Sequence, residues 1–454
     1  MLETVNAWVW GVPTLALILG MGIYLTAATR FVQFRRFGAA WRRFVSGFLG
    51  KNSSGESSYR ALCTALAATV GTGNLAGVAG AIAIGGPGAV FWMWICGLLG
   101  MAIKFAEATL AVRYRVKLEN GEYAAGPMYM IRLGMKKYHF LAGLYAFFGV
   151  VAAFGVGNAT QINTLMQGIH SAAKAFALPL PKGFDVIAGV VLGAVIMVLF
   201  FGGAKRIGGI AQALVPLAAV CYFLLCLLVL ALRYQAIPLA FGQIIRGAFS
   251  PRAVTGGAVG SLLTTLRIGI SRGVFTNEAG MGTASIAHGG ADVAEPWQQG
   301  YMGIMEVFLD TIVICTLTAL VILCAGMPIA YGEDTGIMLT MQAFEAVLGS
   351  WVQVVITAFL CLFAFATVLG WGLYGGRCAQ YLFGQNAWKG FVLVQGIAVA
   401  VSAVLECTTV WQVSEIINGC MAIPNLLALF ALRRQVGQIS KKLPGRLDLP
   451  GRGR

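Results

Sequence analysis

Charge is what this sequence has least of. Only 11% of its 454 residues are Asp, Glu, Lys or Arg, while 58% are hydrophobic. A soluble domain of this length would need far more charge to cover its surface, so the apolar excess is expected to face lipid. Histidine is scarce as well, with His139, His170 and His288 far apart and forming no ligand cluster. The ten cysteines include no CxxC pair and fall singly in apolar stretches, as at Cys221, Cys226, Cys315 and Cys361. They read as small core-facing residues rather than disulfides or metal ligands. A convergent catalytic set of histidine with carboxylates, or a metal cluster, is not visible, which argues against an enzyme. A basic n-region is also missing: Glu3 precedes the first apolar stretch, which therefore reads as a retained helix rather than a signal peptide.

What the chain does have is a succession of apolar stretches of about 20 residues, the length that crosses a hydrocarbon core of roughly 30 Å. The spacing predicts an all-α polytopic membrane protein with eleven transmembrane helices, near 8–29, 60–84, 88–113, 140–169, 184–202, 207–232, 259–287, 300–325, 347–376, 390–406 and 409–432. The net charge of +15 would suggest nucleic acid were it not confined largely to loops. Arg30, Arg35, Arg36, Arg42, Arg43 and Lys51 fill one loop, and Arg113, Arg115, Lys117, Arg132, Lys136 and Lys137 another. Lys205, Arg206, Arg377 and the tail from Arg433 fall on the same side of an eleven-span layout, which the positive-inside rule makes cytoplasmic. The opposite loops hold Glu333, Asp334, Glu345 and Glu406. A multi-pass inner-membrane protein with its N-terminus outside and its C-terminus in the cytoplasm follows, with lipid and not nucleic acid as its surroundings.

Three segments are expected: an extra N-terminal span with a basic stretch over 1–54, a core over 55–433, and a basic tail over 434–454. Without the first helix, ten spans divide into five and five, about 55–233 and about 255–433. Each half opens on an unusually polar, Gly-rich span, and odd numbers of spans set the halves in opposite orientations. Paired interruptions of this kind point to the site of an inverted-repeat transporter.

The first interruption is Thr69-Val70-Gly71-Thr72-Gly73-Asn74. Two glycines one residue apart let the helix unwind, exposing N–H groups to a carboxylate and carbonyls to a cation. A close contact between straight helices would use the same glycines, and the motif alone leaves both open. The second runs Ser271-Arg272-Gly273-Val274-Phe275-Thr276-Asn277-Glu278-Ala279-Gly280-Met281-Gly282-Thr283, where ionisable residues at membrane depth point to a functional site, with an interfacial loop between two shorter helices as the alternative. Thr367 and Trp371 share a helix face four residues apart, although a threonine in a span more often bonds the carbonyl four residues back. Asn158 and Gln161 also share a face and suit either a ligand or a neighbouring helix. Lys104 and Glu107 are expected to pair with each other, as a structural or gating contact.

With these residues assembled, the chain resembles the alanine-or-glycine:cation symporter family over roughly residues 55–433. The matching stretches are GTGNLAGVAGAIAIGGPGAVFWMW at 71–94, KFAEATLAVRYR at 104–115, GPMYMI at 126–131 and FTNEAGMGTASIAHG at 275–289. The resemblance implies a leucine-transporter fold and import of a small neutral amino acid, alanine or glycine, with Na⁺ or H⁺. It implies that the backbone from Gly71 through Thr72 to Gly73 and the Asn74 side chain hold the substrate carboxylate. A break at Phe275-Thr276, with Gln161, would receive the ammonium, while Phe275 and Trp371 close the pocket. The run Val70–Asn74 is similar to V-G-L-G-N in the leucine transporter, implying a Na⁺ held by the carbonyls of Ala67, Val70 and Ala364 and the hydroxyl of Thr367. Ala68 stands where that transporter's second sodium site has an Asn, so one sodium is expected. Val368 replaces a hydroxyl residue, leaving that site one ligand short. A channel, with the Gly-rich breaks as a filter, would call for repeated identical loops, and the two breaks differ. Coupling to H⁺ through Glu278 stays open.

Overall fold

The computed structural model describes residues 9–50, 53–119, 121–259, 261–333, 336–405 and 407–443. Glu3, Lys51, Asp334, Glu406 and the end of the basic tail lie outside the described residues. Helices occupy each of the eleven apolar stretches. They are α1 (Val12–Ala28), α3 and α4 (Ser53–Thr69 and Val78–Gly85), α5 (Gly88–Arg113), α7 and α8 (Phe140–Phe154 and Thr160–Ala175), α9 (Phe184–Phe200) and α10 (Gly203–Leu232). Then follow α12 and α13 (Leu262–Asn277 and Thr283–His288), α14 and α15 (Pro296–Val307 and Thr316–Cys324), α17 (Val352–Phe383), α18 (Ala387–Ser402) and α19 (Cys407–Lys441).

Six of these helical stretches are long and apolar enough to cross a membrane, or seven when α3 and α4 count as one bent span. The α1, α9 and α18 helices are apolar but shorter. Further helices lie between the predicted spans, among them α2 (Phe37–Phe48), α6 (Pro127–Gly134), α11 (Ile237–Phe249) and, before α17, α16 (Ile337–Leu348). An antiparallel pair of two-residue strands, β1 (Val116–Lys117) and β2 (Tyr123–Ala124), closes the loop after α5.

The core packs by omission of side chains. A Cβ on Gly370 would come within 2.7 Å of the Ala68 backbone nitrogen, so α17 crosses α3 backbone to backbone. A Cβ on Gly157 would lie 2.4 Å from the Cβ of Trp371, which fits the indole against the α7–α8 junction. Small residues at crossings are how helices approach closely where lipid supplies no hydrophobic drive. The outward faces of α9, α10 and α18 carry exposed Val, Leu and Ile, as a lipid-facing surface requires.

Candidate functional site

Three helices carry wide, five-residue-repeat turns: Gly73–Gly77 between α3 and α4, Gly155–Ala159 between α7 and α8, and Phe308–Cys315 between α14 and α15. Such turns misalign the hydrogen-bond ladder and gather at functional sites. Here they meet. Asn74 in the first donates Nδ2 to Asp310 Oδ1 in the third at 2.7 Å, and Gly157 in the second packs on Trp371.

The first break is real and accounts for its own polar groups. α3 and α4 meet at 54°. Gly71 donates its N–H to Asn74 Oδ1 at 2.9 Å instead of to the Ala67 carbonyl four residues back. Thr72 gives its N–H and its hydroxyl to Gln161 Oε1, at 3.3 and 2.9 Å. Asn74 turns its own N–H to the Gly71 carbonyl at 3.2 Å, which frees the carbonyl of Val70. The break therefore releases the carbonyls of Ala67 and Val70 from their helical donors. Gln161 is held for this role by Nε2 donating to the Val156 carbonyl at 3.2 Å.

Thr367 stands over that break. Other threonines in the spans bond the carbonyl four residues back, as Thr69, Thr160, Thr164 and Thr318 do. The Thr367 hydroxyl is buried without a hydrogen-bond partner, so the common back-bonded state does not apply to it. A Cβ on Gly71 would lie 2.5 Å from Thr367 Oγ1 and 3.2 Å from Gln161 Oε1. An unpartnered buried hydroxyl beside two released carbonyls is an oxygen-rich donor set that suits a hard cation. Ala364 lies one turn before Thr367 within the same unbroken helix and is fully buried.

Phe275 and Thr276 reach the same place from α12. A Cβ on Gly73 would be 3.6 Å from the Phe275 ring and from Thr276 Cγ2. The second break itself lies further on than the sequence predicted, over residues 278–282. Phe275 and Thr276 are still helical, and Glu278, Gly280 and Gly282 take positive φ. Glu107 caps this break: its Oε1 accepts the N–H groups of Gly280 and Gly282, at 3.0 and 3.1 Å, and the Asn425 amide at 2.7 Å. Glu278 accepts from the Trp371 indole at 2.9 Å and from Thr283. Trp371 thus reaches the second break rather than standing free in a pocket.

Two expectations are corrected. Lys104 does not pair with Glu107 but with Glu306 Oε1 across the bundle, at 2.8 Å and fully buried. Glu306 Oε2 also meets His288 Nε2 at 2.8 Å, and Gln299 donates to His288 Nδ1 at 2.7 Å. A histidine does therefore converge with a carboxylate, although among the described residues no group of His, Cys, Asp or Glu is arranged to hold a metal ion. Of the two uses left open for Asn158, it takes the neighbouring helix, accepting from Gln395 at 2.8 Å.

Asp310 is the polar residue that sequence reasoning missed altogether. It is fully buried, with Asn74 on one oxygen and Thr311 on the other. Thr311 in turn accepts from Asn277 at 3.2 Å, so this strand of bonds ties the first break to the end of α12. An acidic residue within an apolar run, four residues after Glu306, was the available signal.

The sodium/alanine symporter AgcS of Methanococcus maripaludis is 40% identical, covering 95% of this chain and 94% of that protein. The probable sodium/glutamine symporter GlnT of Bacillus subtilis is 35% identical, covering 95% of this chain and 87% of that protein. In fold the chain is similar to MhsT, crystallised with L-phenylalanine, at a TM-score of 0.58 and 15% identity over 84% of this chain and 93% of that one. The MhsT likeness gives the leucine-transporter-like fold. Residues 1–445 match the sodium:alanine symporter family, and the chain belongs to that family of membrane transporters.

Proposed function

We propose that this protein imports a small neutral amino acid, alanine or glycine, together with Na⁺, by alternating access. The observation that carries the reading is the partnerless Thr367 hydroxyl facing the break that releases the carbonyls of Ala67 and Val70. One Na⁺ would sit there with the Ala364 carbonyl. The amino acid would lie alongside, its carboxylate toward Gly71, Thr72, Gly73 and Asn74 and its ammonium toward Gln161 and Thr276. Phe275 would bound the side-chain space, with Trp371 held by Glu278 behind it. Phe275 and Thr276 stand at van der Waals distance from a Cβ on Gly73, which supports a small side-chain space, and the names of the relatives support Na⁺ coupling and an amino-acid substrate.

In this reading the chain sits in the inner membrane as eleven spans, five-plus-five after the first, with the N-terminus outside and the C-terminus cytoplasmic. The concentration of basic residues in alternate loops supports that orientation. A cavity of about 420 Å³, lined by Arg60, Thr64, Ala287, Leu373 and Arg377, would be the inner vestibule. Thr64 is six residues before Val70, about 9 Å along a helix, so the vestibule leads toward the break. The membrane potential adds about 2.3 kcal/mol per charge per 100 mV to inward Na⁺ movement.

A second reading, H⁺ in place of Na⁺, has Glu278 as carrier, because that carboxylate is buried with neutral donors, Trp371 and Thr283. Equilibrium alanine binding in detergent separates them. Linkage requires Na⁺ to raise alanine affinity and alanine to raise Na⁺ affinity by the same factor. Alanine binding that is indifferent to Na⁺ at constant pH sinks the sodium reading.

A further inference from the structure

An apolar cleft reaches from helix α2 to the first broken span, where Val70 lines its end. It has a volume of about 790 Å³ and is walled on one side by Trp41, Phe44 and Phe48 of α2. These residues follow an i, i+3, i+7 spacing and so form one face of the helix. Leu66 and Val70 of the first broken span line it opposite, and Leu309 and Ile314 of the wide turn after α14 close the end. The wall on α3 runs from Tyr59 to Val70, eleven residues and so about 16 Å. That is close to half of a hydrocarbon core of roughly 30 Å, the depth of one acyl chain in one leaflet.

Arg42 and Arg43 follow Trp41 on α2, beside its aromatic face. Arg42 lies back along α2, its Nε donating to the Gly38 carbonyl at 3.2 Å, and Gly38 itself lines the cleft. Arg35 stands exposed on the preceding turn, while Arg43 fastens the helix by donating to Ser58 Oγ at 3.0 Å. An amphipathic helix with aromatics on one face and arginines beside them lies in the interface plane. Exposed arginines there attract anionic headgroups.

We propose that this cleft is a binding site for one anionic phospholipid, with its phosphate at Arg42 and Arg35 and an acyl chain reaching Val70. The chain would bear on both sides of Asp310, between Leu309 and Ile314, and so brace the turn that holds Asn74. This proposal does not depend on what the protein transports.

Quenching of Trp41 fluorescence by phospholipids brominated on the acyl chain tests it. The Trp41 signal is taken as the difference between wild type and Trp41→Phe, reconstituted in bilayers of dioleoylphosphatidylcholine. Brominated phosphatidylglycerol is expected to quench at a lower mole fraction than brominated phosphatidylcholine. Arg42→Gln should reduce that preference by about fivefold, the worth of one interfacial arginine. Ala219→Phe, which places a ring in the cleft that Ala219 lines, should lower quenching by both lipids. Equal quenching by the two lipids in wild type, or a preference untouched by Arg42→Gln, overturns the proposal. So does unchanged quenching in a folded Ala219→Phe protein; if that variant does not fold, the arginine comparison decides alone.

Discussion

The hydroxyl of Thr367 lies where a side chain on Gly71 would have to be: a Cβ there would be 2.5 Å from Thr367 Oγ1. Gly73, two residues on, has ordinary room, with Phe275 at 3.6 Å. The two glycines of the motif are therefore not equivalent. Gly71→Ala is expected to weaken Na⁺ binding by tenfold or more, about 1.4 kcal/mol. Gly73→Ala should bind Na⁺ normally and lose tolerance for amino acids larger than alanine. Na⁺ titrations of alanine binding in both variants check this, and equal effects on Na⁺ would refute it.

Much of the first break is legible in the sequence because glycine and asparagine in an apolar span have few other uses. Gly71, Gly73 and Asn74 marked the place, though the glycines alone left a close contact of straight helices open, and the released carbonyls follow from where the N–H groups of Gly71 and Asn74 turn. The second break was misplaced because Glu278 is not glycine yet takes a left-handed conformation, which no local pattern signals. Asp310 and Glu306 were invisible as partners because an acid in an apolar run does not say which helix it faces. Helix α2 escaped notice because its aromatic face is broken up by arginines and is too short to span.

Gln161 shapes the first break from outside it. Its Oε1 is the acceptor for both the N–H and the hydroxyl of Thr72. Gln161→Leu strands both, at roughly 1–3 kcal/mol for a buried donor. The expected result is a higher KM for the amino acid. A change confined to protein yield, with KM unaltered, would assign Gln161 to packing alone.

Glu107 is the acceptor that makes the second break possible. Glu107→Ala leaves the N–H groups of Gly280 and Gly282 without an acceptor, about 1–3 kcal/mol each. Glu107→Gln keeps an oxygen in place. Thermal unfolding followed by fluorescence-detected size exclusion should show a large drop for alanine and a smaller one for glutamine. Matching drops would mean that the charge, not the cap, matters.

The buried Lys104–Glu306 pair behaves as a unit. Removing one partner leaves an uncompensated charge in the bundle, a loss of about 3–5 kcal/mol. Lys104→Met and Glu306→Gln are each expected to destabilise strongly, and the double variant to recover part of the loss. A double-mutant cycle on unfolding temperatures tests it, with simple additivity as the contrary outcome. His288 keeps its contact with Glu306 only in the lysine variant, so that single change should be the milder of the two.

The most direct test of the account is uptake of radiolabelled alanine into proteoliposomes under an imposed Na⁺ gradient or an imposed pH gradient, for wild type, Thr367→Ser and Thr367→Ala. The account predicts uptake driven by Na⁺ alone, retained by serine and abolished by alanine. Uptake driven by the pH gradient without Na⁺, or full Na⁺ dependence in Thr367→Ala, would contradict it.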